Sequence, residues 1–459
     1  MKFQAELFEK YNKSTPRYTS YPPANYFKDL VDYNVVTDAI KDSNNSNPKN
    51  ISIYIHIPFC HQLCLYCGCN TIITSIASKM TDYVDTLIKE IKMMSSLLYS
   101  DRKISQIHWG GGTPNYLPIE EIQRIMGKFR DEFNFISNPE IAMECHPAHL
   151  TKEYIDELVI LGFNRLSFGI QDFSDEVLET VHREKPLLPI EEVVNHIKSH
   201  KNLSLNLDFI YGLPFQNVES YKNTIEKAAA LEADRLAVFS YAHVPWVKKQ
   251  QVKLEQYKLP SAKEKIALFQ TAYDILWNKG YTIIGLDHFA KPDDELAVAL
   301  KNKDLHRNFQ GYCTRQTTGQ VYALGVSGIS QMENAYLQNT KSIKKYTEAI
   351  NAGVFPIEKF YLVTKEEKIV REIIEQIMCN MEVNLNNVAQ MFDISLTDLH
   401  KIIQLDTDAI EEFKAEGFIT FINDKLELSS KGQFFMRNIA AAFDPNMRNN
   451  TDKKFSKAL

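Results

Sequence analysis

Six apolar runs rich in β-branched residues recur between residues 51 and 241: Ile51–Ile57, Gln106–Trp109, Glu140–Glu144, Arg165–Ile170, Leu203–Ile210 and Arg235–Tyr241. A stretch of helical or turn-forming character separates each from the next. After the first run, Tyr83, Leu87, Ile91, Met94 and Leu98 repeat at helical spacing and predict one buried helix face. Strands that arrive every thirty-odd residues with helices between them require right-handed crossovers and a parallel sheet. The expected fold is therefore α/β, an open, partial (β/α)6 barrel. In such a barrel the chemistry collects at the C-terminal ends of the strands and in the loops that follow them. With 459 residues, 44% of them hydrophobic, the chain can bury one large core and a smaller appended one.

The element pattern divides the chain into an N-terminal arm over 1–48, the barrel over 49–300, a connecting segment over 301–360 that completes the active site, a C-terminal domain over 361–445 and a mobile tail over 446–459. The C-terminal domain is expected to be small and mostly helical, with helices around Glu366–Met378, Asn386–Phe392 and Ile410–Glu416. Strands over Phe418–Ile422 and Lys425–Leu428 flank an Asn423-Asp424 turn. That outline is winged-helix-like, but residues 361–440 hold 14 acidic against 8 basic side chains, the reverse of what phosphate recognition requires. A packing or lid role is expected instead. The whole chain has 52 Lys and Arg against 58 Asp and Glu, net -6, so neither nucleic acid nor an anionic membrane is an expected partner. The first residues lack an apolar secretory core and no run reaches bilayer length. An odd count of seven cysteines also fits a reducing compartment, and the cytoplasm is the expected location.

Four of those cysteines lie within ten residues, in Cys60-His-Gln-Leu-Cys64-Leu-Tyr-Cys67-Gly-Cys69, directly after the first run. Three thiolates on a tight loop can hold three corners of a cubane iron-sulfur cluster, because soft sulfur suits iron in such clusters. The fourth iron then stays open to a small molecule with amino and carboxylate groups, as in enzymes that reductively cleave S-adenosylmethionine into a carbon radical. Zinc is the competing reading, although structural zinc usually draws its ligands as two separated pairs. Structural buried thiols compete as well, and a disulfide framework would need a small, Cys-dense domain. The second run ends in His108-Trp-Gly-Gly-Gly-Thr-Pro114, where glycines allow backbone to approach a ligand closely. A glycine turn after a strand is more often plain geometry; behind the cysteine loop it points to the amino group of S-adenosylmethionine. Glu144, Gln171, Arg183 and Asp208 follow at or just after successive strand ends. Each alone reads as a solvated or paired polar group, and together they converge on one mouth, where a carboxylate can hold ribose hydroxyls.

With these residues in place, the chain resembles the oxygen-independent coproporphyrinogen III oxidases, a radical S-adenosylmethionine family of haem biosynthesis. The likeness runs nearly end to end through Pro16-Arg-Tyr-Thr-Ser-Tyr-Pro22, the cysteine loop ending in Gly68-Cys-Asn70, His108 to Pro114, Gly162 to Phe173, Leu207 to Pro214, Tyr241-Ala-His243, Asp287 to Leu296, His306 to Tyr312 and Arg437-Asn-Ile439. The related haem-chaperone branch lacks the second Cys after the cluster motif. The resemblance implies a radical S-adenosylmethionine barrel in which Cys60, Cys64 and Cys67 ligate a 4Fe-4S cluster and Cys69 stands beside it as a non-ligand. It implies two S-adenosylmethionine molecules. Tyr54, Gly111, Glu144 and Ile329 match positions for the first, and Gly68, Cys69, Asn70, Gly112, Thr113, Gln171, Arg183, Asp208 and Ala242 match positions for the second. For Ile329 and Ala242 ordinary core packing is the competing reading.

The implied activity is oxidative decarboxylation of two propionates of coproporphyrinogen III to vinyl groups, giving protoporphyrinogen IX, by 5'-deoxyadenosyl radical chemistry. It implies a flavodoxin- or ferredoxin-type electron donor, an electron acceptor the sequence does not identify, and a monomer. No residue is identified as catalytic. Arg17 and Arg307 lie in family-like segments and are candidates for the substrate carboxylates, although exposed arginines are more often solvated. Three departures from the family pattern stand out: Glu144-Cys-His-Pro147, where Cys145 and His146 would add a thiol and a titratable imidazole near the site; His182 in place of the usual asparagine; and Phe443-Asp-Pro-Asn446 near the C-terminus. The first keeps another radical reaction on a tetrapyrrole open, and a non-catalytic haem chaperone on the same fold is the other alternative.

Overall fold

The computed structural model describes residues 5–314, 320–449 and 455. The six runs form strands β1 (Ile51–Ile57), β2 (Ile104–Gly111), β3 (Phe135–Cys145), β4 (Arg165–Gln171), β5 (Ser204–Tyr211) and β6 (Arg235–Ser240). They pair in parallel in that spatial order, β1 to β6. β4 alternates half-buried and buried positions, which sends Leu166, Phe168 and Ile170 into the core beneath the helices and leaves Ser167, Gly169 and Gln171 on the concave face.

Helices α1 (Ala77–Ser95), α2 (Ile119–Glu132), α3 (Lys152–Ile160), α4 (Ile190–Ser199), α5 (Val218–Ala230) and α6 (Ala262–Asn278) supply crossovers and outer cover. The α1 stripe is buried at Tyr83, Leu87, Ile91 and Met94, whereas Leu98 lies beyond the helix end. The sheet is wider than six strands. β7 (Thr282–Ile284) and β8 (His288–Ala290) extend the β6 edge antiparallel. At the other edge β9 (Gln320–Leu324) lies parallel to β1, followed by antiparallel β10 (Ile329–Gln331), β11 (Ala335–Asn339) and β12 (Ile357–Leu362). Lys28–Asp29 of the arm pairs with β12 and completes a sheet of 13 strands. The segment 301–360 thus contributes strands to the main sheet, besides a separate hairpin of Leu305–Asn308 with Gly311–Thr314 and the helix Ile343–Asn351.

A second core belongs to the C-terminal region. Helix α7 (Lys365–Asn380) starts at a capping box in which Thr364 and Glu367 satisfy each other's backbone N–H. It packs with helices Leu385–Met391, Leu396–Ile403, Thr407–Ala415 and Met436–Ala441 and a three-stranded sheet. The turn between strands Ile419–Ile422 and Lys425–Leu428 has positive φ at Asn423 and Asp424, the hairpin geometry those residue types favour. Leu7, Tyr11, Tyr18 and Tyr21 of the arm are buried in this same core. Gln433 reaches the main sheet by donating to the Gly285 carbonyl at 3.4 Å. Of the tail, Pro445–Asn449 is a short helix; most of the remaining tail lies outside the described residues.

Candidate active site at the mouth of the sheet

The cysteine loop leaves the C-terminal end of β1 and is closed at its base by a parallel pairing of Phe59–Cys60 with Ile72–Ile73. Cys60 and Cys64 are buried, Cys67 is half-buried and Cys69 exposed. Cys60 Sγ lies 3.2 Å from Thr113 Oγ1, and Arg183 Nη1 lies 3.8 Å from Cys64 Sγ. The Cys69 N–H donates to Cys67 Sγ at 3.4 Å. The Cys69 side chain and N–H hold the Cys67 thiol below its ordinary range, and the same side-chain contact pushes Cys69 up. Burial pushes Cys60 up to about 11. The loop backbone is held from the far side of the mouth: Lys248 Nζ donates to Cys69 O at 2.7 Å, Gln250 Nε2 to Cys67 O at 2.8 Å and Gln251 Nε2 to Tyr66 O at 3.0 Å.

This donor set fits a cluster better than a zinc ion. A tetrahedral zinc with Zn–S of about 2.3 Å draws its sulfurs to within about 4 Å of one another. Among the described residues, the groups of three or more metal-ligating atoms within 4.8 Å are His61, His149 and Glu184, and Asp156, His196 and His200. Cys60, Cys64 and Cys67 do not draw that close. Three buried or half-buried sulfurs on one short loop suit the corners of a cubane.

The glycine run at the end of β2 serves close backbone packing. A Cβ at Gly112 would sit 2.7 Å from Pro58 O and one at Gly111, where φ is +118°, 2.8 Å from the His56 ring. Gly112 N–H donates to Ile57 O at 2.7 Å and Thr113 N–H to Phe59 O at 2.9 Å, tying β2 to the root of the cysteine loop. At Gly110 a Cβ would meet the Glu144 carboxyl at 3.0 Å. Glu144, half-exposed at the end of β3, accepts from His108 Nε2 at 3.1 Å. Burial opposes charge on His108, yet Glu144 holds its pKa above the ordinary value. The Tyr54 ring stacks on His108 with centroids 6.1 Å apart, and the Tyr54 hydroxyl lies 3.2 Å from His56 Nδ1. His56 Nε2 in turn donates to Asn70 O at 3.0 Å.

Further round the mouth, Gln171 closes β4 with φ +73°, and the Arg183 guanidinium donates to the Gly169 carbonyl. Asp208 on β5 accepts from Ser167 Oγ at 2.8 Å and Asn206 Nδ2 at 2.7 Å, yet burial pushes its carboxyl up to about 6. Gly68 is exposed with open space where a Cβ would stand. Asn70 Nδ2 donates to Lys341 O at 3.3 Å. Ala242 is exposed just beyond β6, so core packing does not explain it. Ile329 starts β10, half-buried against a small cluster with Phe27, Tyr336 and Val363. Gly68, Cys69, Asn70, Gly111, Gly112, Thr113, Glu144, Gln171, Arg183, Asp208 and Ala242 thus stand at strand ends or in the loops that follow them, with Tyr54 and its neighbour His108 one turn of the pleat below. Sequence reasoning passed over His56, Lys248, Gln250 and Gln251; the last three lie in a polar stretch with no distinguishing pattern.

The departures resolve differently from expectation. Cys145 is buried in the main core, its thiol turned toward Met143 O. His146 accepts the Ala148 N–H and caps a short helix, and burial lowers its pKa to about 2, so it stays neutral. Neither joins the mouth as a soft ligand or a titratable group. His182 has φ +54°, a left-handed position that suits asparagine or glycine better. Asp444 accepts from the hydroxyls of Tyr18 at 3.0 Å and Tyr21 at 2.8 Å, and Asn446, one of the departing residues, donates through Nδ2 to the Tyr21 hydroxyl at 2.9 Å, so the C-terminal signature clasps the arm. Arg307 donates to the Arg17 carbonyl at 3.2 Å. No helix among the described residues is long and apolar enough to cross a membrane.

Comparison with known proteins gives this geometry its context. Residues 54–228 match the Radical SAM superfamily and residues 363–435 the HemN C-terminal domain. The chain is 39% identical to the oxygen-independent coproporphyrinogen III oxidase of Synechocystis sp. over 100% of this chain and 98% of that one. It is 38% identical to the Escherichia coli protein of the same name over 96% and 95% of the two chains. The solved structure of the E. coli radical SAM enzyme coproporphyrinogen III oxidase (HemN) superposes with a TM-score of 0.89 at 36% identity, covering 97% of this chain and 99% of that one. A cysteine loop at the mouth of a parallel sheet, both matched domains and full-length identity agree, and the chain belongs to the oxygen-independent coproporphyrinogen III oxidase family of radical S-adenosylmethionine enzymes.

Proposed function

We propose that this protein oxidatively decarboxylates two propionates of coproporphyrinogen III to vinyl groups, giving protoporphyrinogen IX. The observation that carries the reading is the match over both whole chains to a solved enzyme of that activity. Cys60, Cys64 and Cys67 are the ligands of the 4Fe-4S cluster, which with S-adenosylmethionine supplies a carbon radical able to take hydrogen from a propionate β-carbon. The protein's part is to hold the reactants and exclude water. Arg183 and the Cys69 N–H set the field around the sulfurs, and the Lys248, Gln250 and Gln251 side chains fix the loop that carries them. Glu144 and Asp208, each oriented by neighbours, are the carboxylates suited to amino or ribose groups of S-adenosylmethionine. A second S-adenosylmethionine bound by Gly68, Cys69, Asn70, Gly112, Thr113, Gln171, Arg183, Asp208 and Ala242 is part of this reading, as are the first-molecule contacts of Tyr54, Gly111, Glu144 and Ile329. So are a flavodoxin- or ferredoxin-type donor, a separate electron acceptor, a cytoplasmic location and a monomeric state. The C-terminal domain acts as a cover by fixing the arm beside the mouth.

The burial of Cys145 and neutrality of His146 remove the local reason for a different tetrapyrrole reaction. Anaerobic incubation of the reconstituted protein with coproporphyrinogen III, S-adenosylmethionine and reductant, followed by porphyrin analysis, tests the proposal. Divinyl product is expected; cleavage of S-adenosylmethionine with coproporphyrinogen III left intact would refute it.

A further inference from the structure

In the outer helical layer, at the end of the sheet opposite the mouth, two imidazoles converge on one carboxylate oxygen. α4 runs directly into β5, so its last turn lies where the strands begin. His196 stands in that turn, and His200 follows it as the residue that closes the helix. Spacing of four along a helix stacks two side chains on one face. Here the chain leaves the helix at His200, with φ −91° and ψ 104°, while its N–H still donates to Ile197 O at 2.9 Å. The two rings end 5.2 Å apart and nearly perpendicular, at 83°. Asp156 of α3 faces them: its Oδ1 lies 2.7 Å from His196 Nε2 and 2.9 Å from His200 Nε2. The three ligand atoms all lie within 4.8 Å of one another.

The backbones that carry these groups are fixed from below. Ile155 and Leu158, on either side of Asp156, are buried, as are Val193, Val194 and Ile197 of α4. Thr151 caps α3 by accepting the Tyr154 N–H at 3.1 Å. Side-chain torsions alone then decide whether a metal ion can take the place of the two hydrogen bonds. A tetrahedral zinc with bonds of about 2.1 Å spaces its ligand atoms about 3.4 Å apart, so each N···O separation has to open by less than about 1 Å. The local field favours a cation, because the last carbonyls of α4 point their negative ends toward this turn. The lysines of both helices are drawn to other carboxylates, Lys152 to Glu192 and Lys198 to Glu232 at 3.2 Å. His196 and His200 keep 21% and 26% of their side-chain surface exposed and Asp156 47%, so an ion can enter from solvent and water can complete its shell.

We propose that Asp156, His196 and His200 form a binding site for a divalent transition-metal ion of the zinc type, which clips α3 to α4. Two imidazoles with one carboxylate suit zinc, with a fourth position left to water, whereas magnesium and calcium take oxygen ligands. The site is separate from the cysteine loop and does not depend on the reaction at the mouth. α3 leads into β4 and α4 into β5, so the clip holds together the outer cover of the two strands that carry Gln171 and Asp208.

Equilibrium dialysis of the anaerobically reconstituted protein against micromolar zinc, with zinc and iron measured in the same samples, tests the site. Wild type should take up about one zinc per chain with its iron unchanged. His200→Ala and Asp156→Asn should each raise the zinc Kd about a hundredfold or more, since the loss of a mere partner of a metal ligand already costs about ten- to a hundredfold. Zinc should also raise the thermal midpoint of wild type by a few degrees and leave that of both variants unmoved, because an ion that binds only the folded state stabilises it. Magnesium or calcium at the same concentration should move none of the three. Equal zinc uptake by wild type and variants would assign the metal to other groups and overturn the site. Uptake matched by loss of iron would place the zinc on the cysteines and overturn it as well, and so would a wild type that takes up no zinc.

Discussion

The cysteine loop and the N-terminal arm are held in opposite ways. On the cysteine side, ligands sit within ten residues of one loop, and distant side chains such as Lys248, Gln250 and Gln251 only steady its carbonyls. Where the N-terminal arm is held, the contacts come from residues distant in sequence: Arg307 donates to the Arg17 carbonyl, Arg437 to the Pro16 carbonyl, and Asp444 accepts from the Tyr18 and Tyr21 hydroxyls. The contrast separates two demands. A metal cluster needs several ligands at fixed short range, which a contiguous loop supplies directly. An arm that lies against two cores needs contacts from distant elements, which only the complete tertiary fold supplies.

The sharpest way to break this contrast is at the sulfurs. The anaerobically reconstituted protein should carry about four irons and four sulfides per chain. Cys67→Ala, like Cys60→Ala or Cys64→Ala, should lose the bound iron and reduce turnover below detection, read by iron and sulfide analysis alongside product formation. Stoichiometric zinc in place of the iron in the reconstituted wild type would contradict the cluster assignment. Cys69→Ala should behave differently, because its thiol is the exposed one and its role is toward Cys67. It should retain the iron but lose about ten- to a hundredfold in turnover, as when a group supporting a metal ligand is removed. Equal iron loss in Cys69→Ala and Cys67→Ala would refute the division of roles.

The same contrast explains what could be read from the sequence. The six central strands are legible because they are β-branched, regularly spaced and separated by helix patterns; Tyr83, Leu87, Ile91 and Met94 show the same clarity for α1. The cysteine loop is legible because its ligands are rare residues at tight spacing. Gln320–Leu324, by contrast, is buried at all five positions and so carries no alternation to distinguish a strand from a buried helical turn. Its neighbours Ile329–Gln331 and Ala335–Asn339 are as short and are defined by pairing with it and with each other. Helix Leu396–Ile403 was missed although Ser395 caps it, because its apolar stripe spans only two turns. Arg17, Arg307 and Arg437 were visible only through resemblance, since nothing in their local spacing marks them out. His146 shows the converse: a titratable residue in a functional motif, made inert by burial.

A smaller effect tests how the cysteine side is braced from below. Glu90 of α1 is buried and accepts from Gly325 N–H at 2.7 Å, Tyr346 Oη–H at 2.6 Å and Asn339 Nδ2 at 2.9 Å. This joins α1, which packs behind β1, to the β9 edge. Burial outweighs these three donors and pushes the carboxyl up to about 7. A raised folded pKa means that the folded state holds its proton longer than the unfolded chain, so stability should fall as pH rises from about 4.5 to about 7 and flatten above. Glu90→Gln should flatten that slope. It should also cost about 1–3 kcal/mol, because its amide NH2 would face the Asn339 donor. Chemical denaturation at several pH values checks both, and a slope that persists in the variant would assign it to another group.

The smallest expected effect lies at His182, where the cysteine side meets the end of helix Asp175–Thr180. The residue sits at φ +54°, its N–H donates to Glu179 O and its carbonyl accepts from Gln62 Nε2 at 2.8 Å. Both contacts are backbone contacts at this residue, so the imidazole itself is replaceable. A left-handed conformation costs an ordinary L-residue about 1–2 kcal/mol, and glycine avoids that cost while giving back part of it as unfolded-chain entropy. His182→Gly should therefore gain no more than about 1 kcal/mol, and His182→Asn, better suited to this conformation than histidine, somewhat less. Thermal unfolding of the reconstituted protein reads the gain, with iron content unchanged because Cys60, Cys64 and Cys67 keep their surroundings. A loss of stability in both variants would show that the imidazole, rather than the backbone turn, braces the loop from this side.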